Sequence, residues 1–202
     1  MLGDIIVLSG KKGSGKTTIA AELALRMKER DKIVMRFALA DPIYDIHNYA
    51  LKKIGYPVAK DRALLIKLGD WGREKDPLIW VQSTRRSVES FVRAYQNSVA
   101  IVTDCRFRNE FEAFPEALRV RLDCPSAIRK ERCSAWDDDK EHDASETDLD
   151  AYAEDGKFDL SLNTFSSSVD HCATMILAQL DKRVWLEKRV PYQSVWSAHD
   201  TE

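Results

Sequence analysis

The stretch LSGKKGSGKTT, residues 8–18, constrains this chain more than any other. It follows the apolar run Ile5-Ile6-Val7-Leu8 and reads as Gly10, four residues, Gly15, Lys16, Thr17, with Gly13 inside the loop. A buried strand that feeds a loop of small residues lets successive backbone N–H groups turn inward on a polyphosphate. The positive end of the following helix falls on the same spot. Lys16 is placed to reach the β- and γ-phosphates, and the Thr17 hydroxyl to ligate Mg²⁺. What receives the phosphate, or whether anything does, this loop alone leaves open.

Bulk properties narrow the class. At 202 residues the chain suits a single domain spanning 1–202 with a small mobile insertion. Its net charge of −2 supplies no global basic field for holding an extended nucleic acid. The four cysteines (105, 124, 133 and 172) show neither C-x-x-C nor zinc spacing, and read as thiols of a reducing compartment. Neither a signal peptide nor a membrane-length apolar run is evident, so a soluble cytoplasmic protein is expected.

Short β-branched runs alternate with longer helical patterns, the signature of βαβ units and a parallel sheet. Strands are expected at about 4–9, 33–38, 99–104, 118–123 and 158–163. Ile19, Leu23 and Met27 repeat at helical spacing between the first two. Asp76-Pro77 reads as an N-cap with proline at the first helical position, opening a helix to about residue 96. Leu78, Val81, Val88, Val92 and Tyr95 lie on one of its faces. Asn163 ends the last strand, Val169 to Leu180 forms the last helix, and 183–202 (Trp185, Pro191, Trp196) reads as a tail packed on the body. In LRVRLDC, Arg119 and Arg121 interrupt what a doubly covered parallel strand would show as a continuous apolar run, which suggests a half-covered strand. The stretch 136–150, WDDDKEHDASETDLD, is acid-rich and aperiodic. It reads either as a solvated loop or as a lid excluding water from phosphoryl transfer, which the preceding Arg129, Lys130 and Arg132 favour.

A second phosphate-chemistry element stands in SVAIVTDCRFRNE. Asp104 falls at the carboxyl end of a strand, where ligands of open α/β sheets bind. It suits a Mg²⁺ water shell or a substrate hydroxyl, and Arg106 suits a phosphate. No acidic residue follows Asp104 directly to activate water, and no Asn-Lys-x-Asp guanine reader is present, which disfavours motors and GTPase switches. A small-molecule kinase needs a P-loop, an acceptor pocket and mobile arginines. Acceptor candidates are Asp41 at the end of RFALADP, and Arg73 and Trp80 in LGDWGREKDPLIW. Arginine takes a monophosphate bidentately, and an aromatic ring stacks on a base. Each has a plain alternative: Asp41 as a helix cap, Trp80 as core, Arg73 in a surface ion pair.

On GKKGSGKTT, FALADP, LGDWGREKDPLIWV, VTDCRFRNE, HDASE and LSLNTFSS, which together span the chain to about residue 180, the sequence resembles the phage-type deoxynucleoside monophosphate kinases. These are P-loop nucleotide kinases that also resemble dephospho-coenzyme A kinase. The resemblance implies an α/β P-loop NTPase fold with a five-stranded parallel sheet, an acceptor region at about 38–97 and a lid at about 129–150. It implies ATP and Mg²⁺, with Gly10, Lys11, Gly13, Ser14, Gly15, Lys16, Thr17, Thr18 and Asn163 at ATP, and Thr17 and Asp104 at the metal. Phe37, Asp41, Arg73, Trp80, Asp104 and Arg106 would line the acceptor site, and Lys16, Asp104, Arg129 and Arg132 would carry catalysis. The lid of this chain is more acidic than that pattern, which leaves open which basic residue meets the transferring phosphoryl group. The expected partners are small-molecule nucleotides, without extended nucleic acid or membrane, and a homodimer is left open. Three alternatives remain: a dephospho-coenzyme A or other small-molecule kinase, a nucleotide-dependent binding module, and a kinase of modified bases within DNA.

Overall fold

The computed structural model describes residues 3–133, 136 and 138–189. Strands β1 (Asp4–Ser9), β2 (Ile33–Ala38), β3 (Ser98–Cys105), β4 (Leu118–Asp123) and β5 (Leu160–Asn163) form one sheet. Their order is β2-β3-β1-β4-β5, and every neighbouring pair is parallel. All carboxyl ends therefore open on one rim. β1 is the switch point, with its chain neighbour two places to one side and β4 on the other, and ligands of open sheets bind in the crevice at such a point.

The connecting helices are α1 (Lys16–Glu29), α2 (Asp41–Lys53), α3 (Arg62–Lys75), α4 (Ile79–Ala94), α5 (Arg108–Glu112), α6 (Ser126–Arg132), α7 (Ala144–Thr147), α8 (Asp150–Glu154) and α9 (Val169–Arg189), with a 3₁₀ turn at Asp138–His142. Alternation along the strands divides the core into two layers. Ile6 and Leu8 meet Ile19, Leu23 and Met27 of α1 and Cys172, Ile176 and Leu180 of α9. Ile5 and Val7 on the opposite face join Val88, Phe91 and Val92 of α4, with Phe111, Phe114 and Phe158. Among the described residues no helix is long and apolar enough to cross a membrane. All four cysteines are free.

Three expectations need correction. The helix anticipated from Asp76 begins three residues later, at Ile79. Asp76 instead closes α3, and its carboxylate accepts from the Leu78 N–H at 2.8 Å in a tight turn. On that helix Val81, Val88 and Val92 are buried, whereas Leu78 and Tyr95 at its ends are exposed. The last helix runs on to Arg189 instead of ending at Leu180, and in that extension Arg183 donates to the Glu116 carbonyl at 2.9 Å while Trp185 is half exposed; the rest of the expected tail, with Pro191 and Trp196, lies outside the described residues. β4 is covered on both faces. Leu118, Val120 and Leu122 enter the α1/α9 layer, and the Arg119 and Arg121 guanidinium groups lie over the rings of Phe111 (4.5 Å) and Phe158 (6.0 Å). A guanidinium over an aromatic face replaces the apolar side chain expected there.

Candidate active site

The loop between β1 and α1 has the geometry its sequence requires. Gly10 takes φ +147° and Gly13 φ +80°, a region costly for any residue with a Cβ. A Cβ on Gly13 would also lie 2.9 Å from both the Arg129 carbonyl and the Cys133 sulfur, so α6 rests directly on the loop. The buried Lys16 ammonium donates to the Gly10 carbonyl at 2.6 Å and the Lys11 carbonyl at 3.0 Å, lying back along the loop. Burial lowers its pKa to about 8; nearby Arg106 and Arg121 push the same way, while Asp104 and Glu146 oppose them. Thr17 and Thr18 are exposed on the first turn of α1.

Asp104 stands at the carboxyl end of β3 with φ +64°, a left-handed conformation on a non-glycine residue. Its origin is visible in the register. Val7 pairs with Val102 and Ser9 with Cys105, so β3 spends three residues where β1 spends two. A bulge of this kind re-aims a side chain, and such strain concentrates at functional sites. The half-buried Asp104 carboxylate accepts no hydrogen bond from the described residues.

Among the described residues of the acidic stretch, several carboxylates are paired rather than solvated. Its carboxylates dock on the loop and on the Arg106–Arg108 strand end. Glu141 pairs with Arg129, and Glu146 accepts from the Lys12 backbone N–H at 2.7 Å and from the Arg106 guanidinium. Asp148 accepts from the Arg108 backbone N–H at 2.8 Å. Asp150 bridges Lys11 (2.8 Å) and the buried Arg121 (2.7 Å). The sequence gives no function to Arg121; in the structure it anchors α8 and, through Asp150 and Lys11, the β1–α1 loop.

A cavity of about 970 Å³ opens beside this loop. Of the expected acceptor residues, Arg73 and Arg106 line it, and Arg129 joins them from α6. Arg73 is exposed and paired with Asp70 at 2.6 Å. Phe37, Asp41, Trp80 and Asp104, also expected at the acceptor, do not line it. Phe37 is core, edge-on to Phe91. The Trp80 indole lies against Gly72, where a Cβ would overlap it, and its Nε1–H donates to the Gly69 carbonyl at 3.0 Å. That contact locks α4 to α3: Gly72 makes room for the tryptophan, whereas Gly69 faces the Arg73 guanidinium, 3.0 Å from where a Cβ would stand, on the cavity wall. Asp41 sits one residue inside α2 and accepts from the Ala38 N–H at 2.7 Å, bracing the turn after β2. The aromatic rings on the cavity wall are Tyr44 and Trp136, which sequence reasoning missed. Tyr44 was discoverable from its place one helical turn past Asp41; Trp136 carried no signal beyond being an aromatic among acids.

Arg132 faces elsewhere. It donates to the Thr164 carbonyl (3.1 Å) and hydroxyl (3.3 Å), and Thr164 in turn donates to the Ser14 carbonyl at 3.0 Å. Asn163 shapes the same β5–α9 turn by accepting from the Phe165 N–H at 2.9 Å, and it borders a second cavity of about 390 Å³ with Lys11, Arg121 and Arg129. The two arginines of α6 are thus divided, Arg129 between the walls of both cavities and Arg132 to the turn behind the loop.

Neither a protein-family profile nor a curated protein sequence matches the chain. Solved structures do. A gluconokinase from Sinorhizobium meliloti is similar at TM-score 0.54 and 14% identity, over 93% of this chain and 98% of that one. A sugar kinase from Janibacter sp. is similar at TM-score 0.51 and 19% identity, over 89% and 95%. At such identities the likeness speaks for architecture. The chain has the fold of the P-loop kinases.

Proposed function

We propose that this chain is an ATP-dependent nucleotide kinase that transfers the γ-phosphate to a deoxynucleoside 5′-monophosphate, giving ADP and the diphosphate. The observation that carries the reading is the large cavity, which borders the β1–α1 loop at Lys12 and carries Arg73, Arg106 and Arg129 on its wall. A donor loop opening on guanidinium groups suits an acceptor that is itself a phosphate. Tyr44 and Trp136 offer stacking surfaces for a base.

Little covalent chemistry is required of the protein, because phosphoryl transfer is governed by positioning and charge stabilisation. The loop amides and Lys16 hold the donor phosphates; to do so the Lys16 ammonium turns from the Gly10 and Lys11 carbonyls to phosphate oxygens. Thr17 and Asp104 are the residues that would hold Mg²⁺, which neutralises phosphate charge when bound. Arg106 and Arg129 face the charge developing on the transferred group, and Arg73 fixes the acceptor phosphate. The segment 138–150 closes the cavity against water.

A second reading draws on the fold likeness to a gluconokinase and a sugar kinase, in which the acceptor is a hydroxylated small molecule rather than a nucleotide. A coupled ADP-release assay separates the two. Ribo- and deoxyribonucleoside monophosphates, dephospho-coenzyme A and gluconate are offered in parallel. Turnover confined to deoxynucleoside monophosphates is expected; turnover on gluconate or dephospho-coenzyme A without any monophosphate would overturn the nucleotide assignment. Tight ATP binding with no turnover on any of them would mark a binding module.

A further inference from the structure

Glu146 sits where a kinase has reason to keep carboxylates away. Its side chain is only 7% exposed, and it bridges two donors from different parts of the chain. One is the backbone N–H of Lys12, inside the phosphate-binding loop (2.7 Å), and the other is the guanidinium of Arg106, at the carboxyl end of β3. A loop N–H together with an arginine fork is the donor set of a phosphate oxygen pair. Glu146 also lies near enough to Lys16 to influence its proton affinity, and it lines the large cavity.

We infer that the position between the Lys12 N–H and Arg106 is a phosphate subsite, and that Glu146 is a built-in anion that occupies it and must leave when a polyphosphate binds. Two anions cannot share a pair of donors in a secluded site, because like charges there repel with little solvent screening. The neighbouring acids hold the rest of the segment in place while this happens. Asp148 grips Arg108, and Asp150 grips Arg121 and Lys11, so only the turn carrying Glu146 has to yield. Displacement frees Arg106 to turn to the incoming phosphate, coupling arrival of the donor to arming of the arginine. This rests on the phosphate-binding reading of the loop and not on the identity of the acceptor.

The test uses the full chain and inorganic tripolyphosphate, with affinity measured by calorimetry. Glu146→Gln keeps the shape and removes the competing charge; Asp148→Asn removes an equal charge from the same segment without touching the subsite. The expected result is that Glu146→Gln binds tripolyphosphate about ten-fold tighter than wild type, the factor carried by roughly one charge-assisted hydrogen bond, while Asp148→Asn is unchanged. Equal or weaker binding by Glu146→Gln would make the glutamate a fixed part of the loop and overturn the inference. Equal tightening by both variants would reduce it to net charge and overturn it too. No binding by any form would remove the phosphate-binding reading together with it. Hydrogen exchange on the wild-type chain serves if a variant fails to fold: tripolyphosphate is expected to lower protection around 144–147, and raised protection there would refute displacement.

Discussion

Removal of the Lys16 charge is expected to reveal how much stability the β1–α1 loop gives up. The ammonium is buried against two carbonyls, and burial lowers its pKa from the ordinary 10.5 to about 8. Each tenfold in proton affinity is worth about 1.4 kcal/mol, so a charged Lys16 costs the phosphate-free fold about 3 kcal/mol. Below about pH 8 both folded and unfolded chains hold the proton, and the cost is constant. Between about 8 and 10.5 the folded chain releases it while the unfolded chain keeps it. The unfolded state then binds more protons, and stability rises with pH. Above 10.5 both are neutral and the contribution is level. Lys16→Met keeps the stem and lacks this titration. Urea unfolding of both proteins from pH 7 to 10.5 isolates it, because all other groups cancel in the difference. Wild type is expected to gain about 3 kcal/mol on the variant over that range. With saturating tripolyphosphate the gain should vanish, because the anion holds the proton on Lys16. Stability curves that stay parallel across the range, without phosphate, would refute the buried-charge argument.

Arg73→Lys is expected to raise KM for the acceptor monophosphate about ten- to a hundred-fold, through loss of a charge-assisted fork, with KM for ATP unchanged in steady-state kinetics. Because its pair with Asp70 is exposed, unfolding should register only about 0–1 kcal/mol; unchanged kinetics would leave Arg73 a surface residue. Asp104→Gly relieves a left-handed backbone that costs roughly 1–2 kcal/mol, so denaturant melts should show a more stable protein while turnover in the coupled assay collapses. Gly72→Ala drives a methyl into the Trp80 indole and is expected to cost about 1–3 kcal/mol in the same melts; a neutral outcome would mean that α3 and α4 are not locked there.

The sheet was legible because its signal is local. Runs such as Ile5–Leu8 and Val99–Val102 are buried on both faces, and apolar continuity marks them as parallel strands. The loop was legible for a related reason, since backbone geometry dictates its glycines. What escaped depends on partners distant in the chain. Glu146 meets Arg106 across 40 residues and Lys12 across 134, so the acids of 141–150 read as solvated until their cations are brought beside them. Asp76-Pro77 misled because Asp before Pro serves a turn as well as a cap, and here it ends one helix before the next begins. Trp80 could not be assigned from sequence, because an indole that stacks on a base and one that packs on Gly72 share the same neighbours in the chain.

Because the five strands all point one way, the candidate site is gathered at one rim and the opposite rim is left without a share in it. The turns at 30–32, 96–97 and 115–117 return the chain there, and none of them lines either cavity. Arg30, Gln96 and Glu116 are exposed on those turns. A dye, a surface tether or an affinity handle attached at any of these three points therefore leaves the mouth of the large cavity unobstructed, and a chain immobilised by that rim turns both cavities outward.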